Sequence, residues 1–174
     1  MKEKLKWYIA DKDYISYLKQ YDDKVENINY SAKLKPYIGI VVNINEFNYY
    51  VPISSAKSKH YKIKEGMDFI KIMQADKIIG VLNLNNMVPI LNEKIQILNY
   101  REIDKYREFE TEKEKRLYIS FLSFELNLIN QKVEKIRKNA TKLYNEKINN
   151  PNSNISKRCC NFKLLEEKCV EYSK

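Results

Sequence analysis

Histidine is almost missing from this chain: His60 is the single one in 174 residues. A catalytic pair of histidines is thereby excluded. Cysteine is scarce too, and Cys159, Cys160 and Cys169 make neither an even disulfide set nor a paired CxxC. The expectation is reduced thiols in a cytoplasm. No apolar run reaches the roughly 18 residues that cross a bilayer. The opening "MKEKLKWYIADKDY" has basic residues with no apolar signal core behind them, which predicts a chain that is not secreted. Glycine is confined to Gly39, Gly66 and Gly80, and proline to Pro36, Pro52, Pro89 and Pro151. Between Pro89 and Pro151 neither occurs, so the punctuation splits a strand-rich 1–100 from a helix-rich 101–174. Both halves are expected in one domain, 1–174, of which folding buries about two-thirds of the unfolded surface.

What is abundant is positive charge and tyrosine. Lys and Arg number 32 against 23 Asp and Glu, giving a net charge of +9 and a pI near 9.2. Lysines that neutralise phosphates release condensed counterions, so this excess favours a polyanionic partner. Nucleic acid, an anionic membrane surface, and an AT-rich genome that inflates Lys, Asn and Ile all fit the charge alone. Fourteen tyrosines tilt the balance to nucleic acid, because aromatic faces beside lysines are what unpaired bases stack on.

The periodicities predict an α+β fold. "KWYIA" (6–10) reads as a strand, and Asp11 or Asp13 then caps a helix carrying Tyr14, Tyr17, Leu18 and Tyr21. "PYIGIVVNI" (36–44) and "YYVPI" (49–53), joined by "NEFN", read as a hairpin, with further strands in 67–73, 78–91 and 94–98. From Thr111 the period becomes helical. Leu117, Phe121, Phe124 and Leu128 form one stripe, and Ile129, Val133, Ile136, Ala140 and Leu143 continue on a face shifted by one residue. "NNPNSNIS" (149–156) reads as a loop before a last helix with Phe162, Leu165 and Cys169 on one side. A twisted, mainly antiparallel sheet packed with helices is expected.

Several chemistries are weakly supported. Adjacent Asp22 and Asp23 cannot easily face one ion, and read as a solvated group at a helix end. No G-x-S-x-G elbow supports a serine hydrolase. RNA cleavage without metal asks for less, since the 2′-hydroxyl of the substrate is the nucleophile. The protein must align it, move protons and stabilise phosphoryl charge. "VPISSAKSKHY" (51–61) offers hydroxyls, lysines and His60 directly after a strand, although ordinary loop composition looks the same.

Five segments carry a family likeness: "YISYLKQYDDKV" (14–25), "KPYIGIVVNI" (35–44), "YYVPISSAKSKH" (49–60), "GVLNLNNMVPI" (80–90) and "CNFKLLEEK" (160–168). In order and spacing they resemble the ToxN/AbiQ family of toxins from type III toxin–antitoxin and phage abortive-infection systems. In appearance the AbiQ-like members are nearest. The resemblance implies a strongly twisted sheet of the Kid/MazF type and a metal-independent endoribonuclease with no cofactor. It also implies RNA substrate and a small pseudoknotted repeat RNA as antitoxin, which the toxin trims and which holds it in a closed protein–RNA ring. On this chain the family's catalytic serine falls on Ser55, its neighbouring hydroxyl on Ser54 and its pocket lysine on Lys57. An aromatic near the site falls on Tyr14, a histidine just beyond the motif on His60, and a lysine before the hairpin on Lys35. Lys33, Lys59, Tyr61 and Lys62 are the further expected RNA contacts. Ala56 departs from the proline common in relatives. A non-catalytic basic RNA-binding protein, or a helical interaction protein with a β-domain, are the competing readings.

Overall fold

The computed structural model describes residues 3–28 and 34–174; Lys33 lies outside them. The strands are β1 (Lys6–Ala10), β2 (Tyr37–Ile44), β3 (Phe47–Ser55), β4 (Phe69–Gln74), β5 (Lys77–Asn83), β6 (Val88–Pro89) and β7 (Ile95–Ile97). The helices are α1 (Lys12–Lys19), α2 (Ser58–Lys62), α3 (Glu112–Gln131), α4 (Val133–Asn149), α5 (Asn154–Arg158) and α6 (Phe162–Tyr172). The strands form one sheet in the order β4-β5-β3-β2-β1-β7, with β6 also pairing to β3. Every pairing among the described residues is antiparallel. The expected α+β architecture is therefore what the chain adopts.

Strand β3 is the pivot. Its first part pairs with β2 from Phe47 to Pro52, and its last three residues pair with β5 instead, Ile53 opposite Leu82, Ser54 opposite Val81 and Ser55 opposite Gly80. Pro52 stands at the hand-over, where a missing backbone donor disturbs the ladder least. The β2–β3 turn is two residues long, and Asn45 and Glu46 take positive φ (51° and 71°), the twist that tight hairpins need. Strand β3 consequently begins earlier than the sequence suggests.

The helices cover the sheet as the caps and stripes require. Asp11 accepts from Tyr14 N (2.8 Å) to start α1, and Thr111 accepts from Glu114 N (3.1 Å) to start α3. Two contacts dock α3. Trp7 Nε1 donates to Leu122 O (2.9 Å), and Asn130 both accepts from Leu5 N (2.8 Å) and donates to Leu5 O (3.0 Å). One apolar cluster draws on both halves of the chain, from Leu5 and Trp7 through Tyr49 and Leu82 to Leu143 and Cys169. Burying a Leu or Ile such as Leu122 or Ile129 contributes about 1.5–3 kcal/mol.

Five expectations need correction. The stripe Leu117, Phe121 and Phe124 faces out, with Leu117 61% exposed, while Leu122, Glu125 and Ile129 face the sheet. The one-residue shift before Ile136 is a helix break at Lys132, which frees α4 to pack on β2 by its own face. Residues 78–91 are not continuous strand: a 3-10 turn at Leu84–Asn86 interrupts them. Asp22 is not solvated; its carboxylate is buried and accepts from Asn161 N (2.6 Å) and Lys24 N (3.0 Å), tying the end of α1 to the start of α6. Within 149–156, Ser153 caps the short helix α5.

Candidate active site

The alternation of β3 sends neighbouring hydroxyls to opposite faces of the sheet. Two cavities meet at this strand end. The larger, about 620 Å³, is lined by Ser54, Ser55, Lys35 and Lys57 together with Arg107, Tyr118, Phe121 and Glu125. The smaller, about 320 Å³, is lined by Ser54, Lys35, Lys57, Lys59, His60 and Asn83. Lys35, Ser54 and Lys57 thus border both.

Each expected residue among those described has a definite place. Ser55 is exposed at the tip of β3, and Ser54 is half-buried, with Asn83 Nδ2 at 3.5 Å from its hydroxyl. Lys57 is exposed, and its ammonium makes no ion pair among the described residues, so its charge is free for a phosphate. Lys35 is held in a salt bridge to Glu26 (2.8 Å). Lys59 and Lys62 are exposed on α2, and Tyr61 presents its ring to solvent while its hydroxyl accepts from Ile78 N (3.0 Å).

His60 is only 5% exposed and has a defined hydrogen bond. Its Nδ1 accepts from Lys57 N (2.9 Å), and Lys57 O accepts from His60 N (2.9 Å), a reciprocal clasp that holds the loop. An Nδ1 that accepts leaves the neutral ring with its proton on Nε2. Burial lowers its pKa first, and Lys59, Lys57 and Lys71 push the same way, so it stays neutral near pH 7. That suits holding Lys57, not donating a proton.

Tyr14 stands apart from the other expected residues. Its side chain is fully buried between α1, β6 and α6, donating to Pro89 O (3.0 Å) against Cys169 Sγ. It lines neither cavity, and burial raises its pKa far above the ordinary value. In this structure the Tyr14 hydroxyl ties α1 to β6 and α6.

Sequence reasoning missed Glu125, Arg107, Tyr118 and Asn83. Arg107 packs over the Tyr118 ring (4.1 Å) and reaches Glu114 (3.4 Å). Glu125 is 2% exposed, and burial pushes its carboxyl up to about 7. The available signal was a lone carboxylate between Leu122 and Ile129 at helical 3 and 4 spacing, where a core residue belongs. Among the described residues no three His, Cys, Asp or Glu side chains gather as a metal ion would need.

Residues 6–170 match the family model of the toxin ToxN of type III toxin–antitoxin systems. This chain belongs to the ToxN toxin family. Endoribonuclease ToxN of Bacillus thuringiensis subsp. kurstaki is 30% identical over 98% of this chain and 86% of its own length. Endoribonuclease ToxN of Pectobacterium atrosepticum is 29% identical, over 98% and 95%. Endoribonuclease AbiQ of Lactococcus lactis subsp. lactis, at 26% over 98% and 90%, stands among these ToxN relatives. A solved type III toxin, described as selectively inhibited by a non-coding RNA pseudoknot, superposes with a TM-score of 0.82 at 25% identity, covering 99% of both chains. The matched family region runs across the β3 tip, α2 and the whole of α3, so every cavity-lining residue lies inside it.

Proposed function

We propose that this ToxN-family chain is a cytoplasmic, metal-independent endoribonuclease, acting as one unit over its 174 residues. The cut leaves a 2′,3′-cyclic phosphate and a 5′-hydroxyl. Its toxicity is held in check by a cognate pseudoknotted repeat RNA, which it trims and with which it closes into a protein–RNA ring. Release on phage infection makes it an antiviral device. The observation that carries this reading is the convergence of Ser54, Ser55, Lys35 and Lys57 on one open cavity at the end of β3. The enzyme names of its relatives and the RNA-inhibited structural neighbour support it.

In this site Ser55 and Ser54 orient the scissile phosphate. Lys57 stabilises the charge that develops on the phosphoryl oxygens, a contribution on the order of 10²–10³ in rate. His60 holds the Lys57 backbone through the clasp at 2.9 Å. Lys35, Lys59, Lys62 and the Tyr61 ring hold the flanking RNA. No helix of the described chain is long and apolar enough to cross a membrane.

The test is incubation of the purified protein with mixed RNA in EDTA, with the new ends mapped. Wild type should give cyclic-phosphate ends, and Ser55→Ala should lose most cleavage while still binding RNA. Equal, intact RNA with both proteins would leave a non-catalytic RNA-binding protein as the answer.

A further inference from the structure

Among the described residues the buried polar side chains almost all have partners. Glu166 accepts from the Tyr49 and Tyr144 hydroxyls (2.7 Å each) and pairs with Lys163 (3.1 Å). Asp68 holds Arg158 (2.9 Å), Asp22 caps two backbone amides, and Ser156 bonds Ser153 (2.9 Å). Glu125 makes no hydrogen bond or ion pair among the described residues, yet no side-chain oxygen or nitrogen sealed from solvent is left unsatisfied. Its carboxyl is therefore not sealed from solvent, and it lines the cavity it shares with Ser55 and Lys57.

The sheet register says where. Gly80 is directly opposite Ser55, and opposed residues of an antiparallel pair carry their Cβ atoms on the same face, about 4.5–5.5 Å apart. At Gly80 there is no Cβ, and Glu125 Oε1 occupies the space one would need, close beside Ile53. The carboxyl thus sits in a notch cut by glycine, on the Ser55 side of the sheet. Both side chains line the same cavity. Trp7 and Asn130 hold α3 in this register, so the placement belongs to the fold and not to a loose side chain.

We propose that the Glu125 carboxylate is the group that takes the proton from the attacking 2′-hydroxyl of the RNA. This rests on the endoribonuclease reading above. In the step, the 2′-O–H proton passes to Glu125 as the O2′–P bond forms. The P–O5′ bond breaks, and the departing 5′-oxygen takes a proton from water. The protonated Glu125 then returns its proton to solvent, so the enzyme is unchanged.

A carboxyl shifted to about 7 is a far stronger base than an ordinary one and is still largely ionised just above neutrality. Its surroundings keep it there. The nearest stretches of β3 and β5 give it the uncharged Ile53, Ile79 and Gly80, and its own helix gives Leu122 and the Tyr118 phenol. Arg107 is engaged with Glu114 and the Tyr118 ring, while Lys35 and Lys57 stand at the cavity border.

The experiment is single-turnover cleavage in EDTA from pH 5 to 9 by wild type, Glu125→Gln, Glu125→Asp and Gly80→Ala. Affinity is measured in parallel with a 2′-O-methyl RNA that cannot be cut. Wild type should show a rising limb with an apparent pKa near 7. Glu125→Gln should lose about 10²–10⁴ in rate together with that limb, at unchanged affinity. Glu125→Asp should retain part of the rate. Gly80→Ala, which displaces the carboxyl without touching RNA, should slow cleavage while the Glu remains. A substrate with a 5′-thiolate leaving group, which needs no protonation, should not rescue Glu125→Gln; rescue would make Glu125 the acid and overturn the assignment. A Glu125→Gln enzyme with wild-type rate and the same limb would overturn it too, leaving the ribonuclease reading intact. A wild type that cuts nothing would remove both.

Discussion

Replacing Glu125 by Gln should make the protein more stable as the pH rises, relative to wild type. In the unfolded chain this carboxyl ionises at its ordinary 4.5, and in the folded chain burial holds it to about 7. Between those values the folded protein binds a proton that the unfolded chain has already released. Stability is therefore full below pH 4.5 and is lost as the pH climbs through the window. The gap, at about 1.4 kcal/mol for each tenfold in proton concentration, amounts to about 3 kcal/mol by pH 8. Gln keeps the shape and cannot ionise, so its own burial cost does not vary with pH and drops out of the comparison. Urea titrations at pH 5, 6, 7 and 8 on both proteins give the quantity directly. The stability of Glu125→Gln minus that of wild type should grow by about 2.5 kcal/mol across the series, most of it between pH 5 and 7. A difference that stays flat would refute the claim that this carboxyl is buried without a cationic partner, and with it the reason for a raised pKa.

Other substitutions probe the remaining contacts. Lys57→Ala should cut cleavage by about 10²–10³ and lower the salt slope of single-stranded RNA binding by about 0.7, read from affinities at several salt concentrations. His60→Ala removes the acceptor for Lys57 N and should cost about 1 kcal/mol in thermal unfolding while leaving the rising pH limb of cleavage in place. Tyr49→Phe leaves Glu166 one donor short in the core and should lose about 1–3 kcal/mol in urea, without altering cleavage per folded molecule. Leu117→Glu, on the outward stripe of α3, should change stability by less than about 0.5 kcal/mol in the same assay.

Local rules made much of the fold readable. The hairpin of β2 and β3, the Asp11 cap, the absence of Gly and Pro over the helices, and the buried face of α6 follow from period, turn chemistry and caps. The outward stripe did not, because Leu117, Phe121 and Phe124 have helical spacing and nothing local says which of two adjacent faces meets the sheet. Trp7 and Asn130 decide that, through contacts far apart in sequence. Ser55 and Lys57 could be found through family likeness, since they are close together in one segment. Glu125 left only its core spacing with Leu122 and Ile129 as a signal, and nothing in the sequence says that Gly80 faces it. Tyr14, carried over from the family likeness, lines neither cavity in this structure, where its hydroxyl serves Pro89.

The pairing of Ser55 with a carboxyl from α3 has a consequence for the order in which the chain is made. Glu125 lies 70 positions after Ser55, 125 minus 55. At about 5–20 residues per second, roughly 4 to 14 s of translation separate the two. A nascent chain that has emerged only through β7 holds its hydroxyls and lysines but no proton acceptor, and α3 must still dock against Trp7 before one arrives. The nascent polypeptide is thus disarmed beside the ribosome that makes it until α3 has emerged and docked.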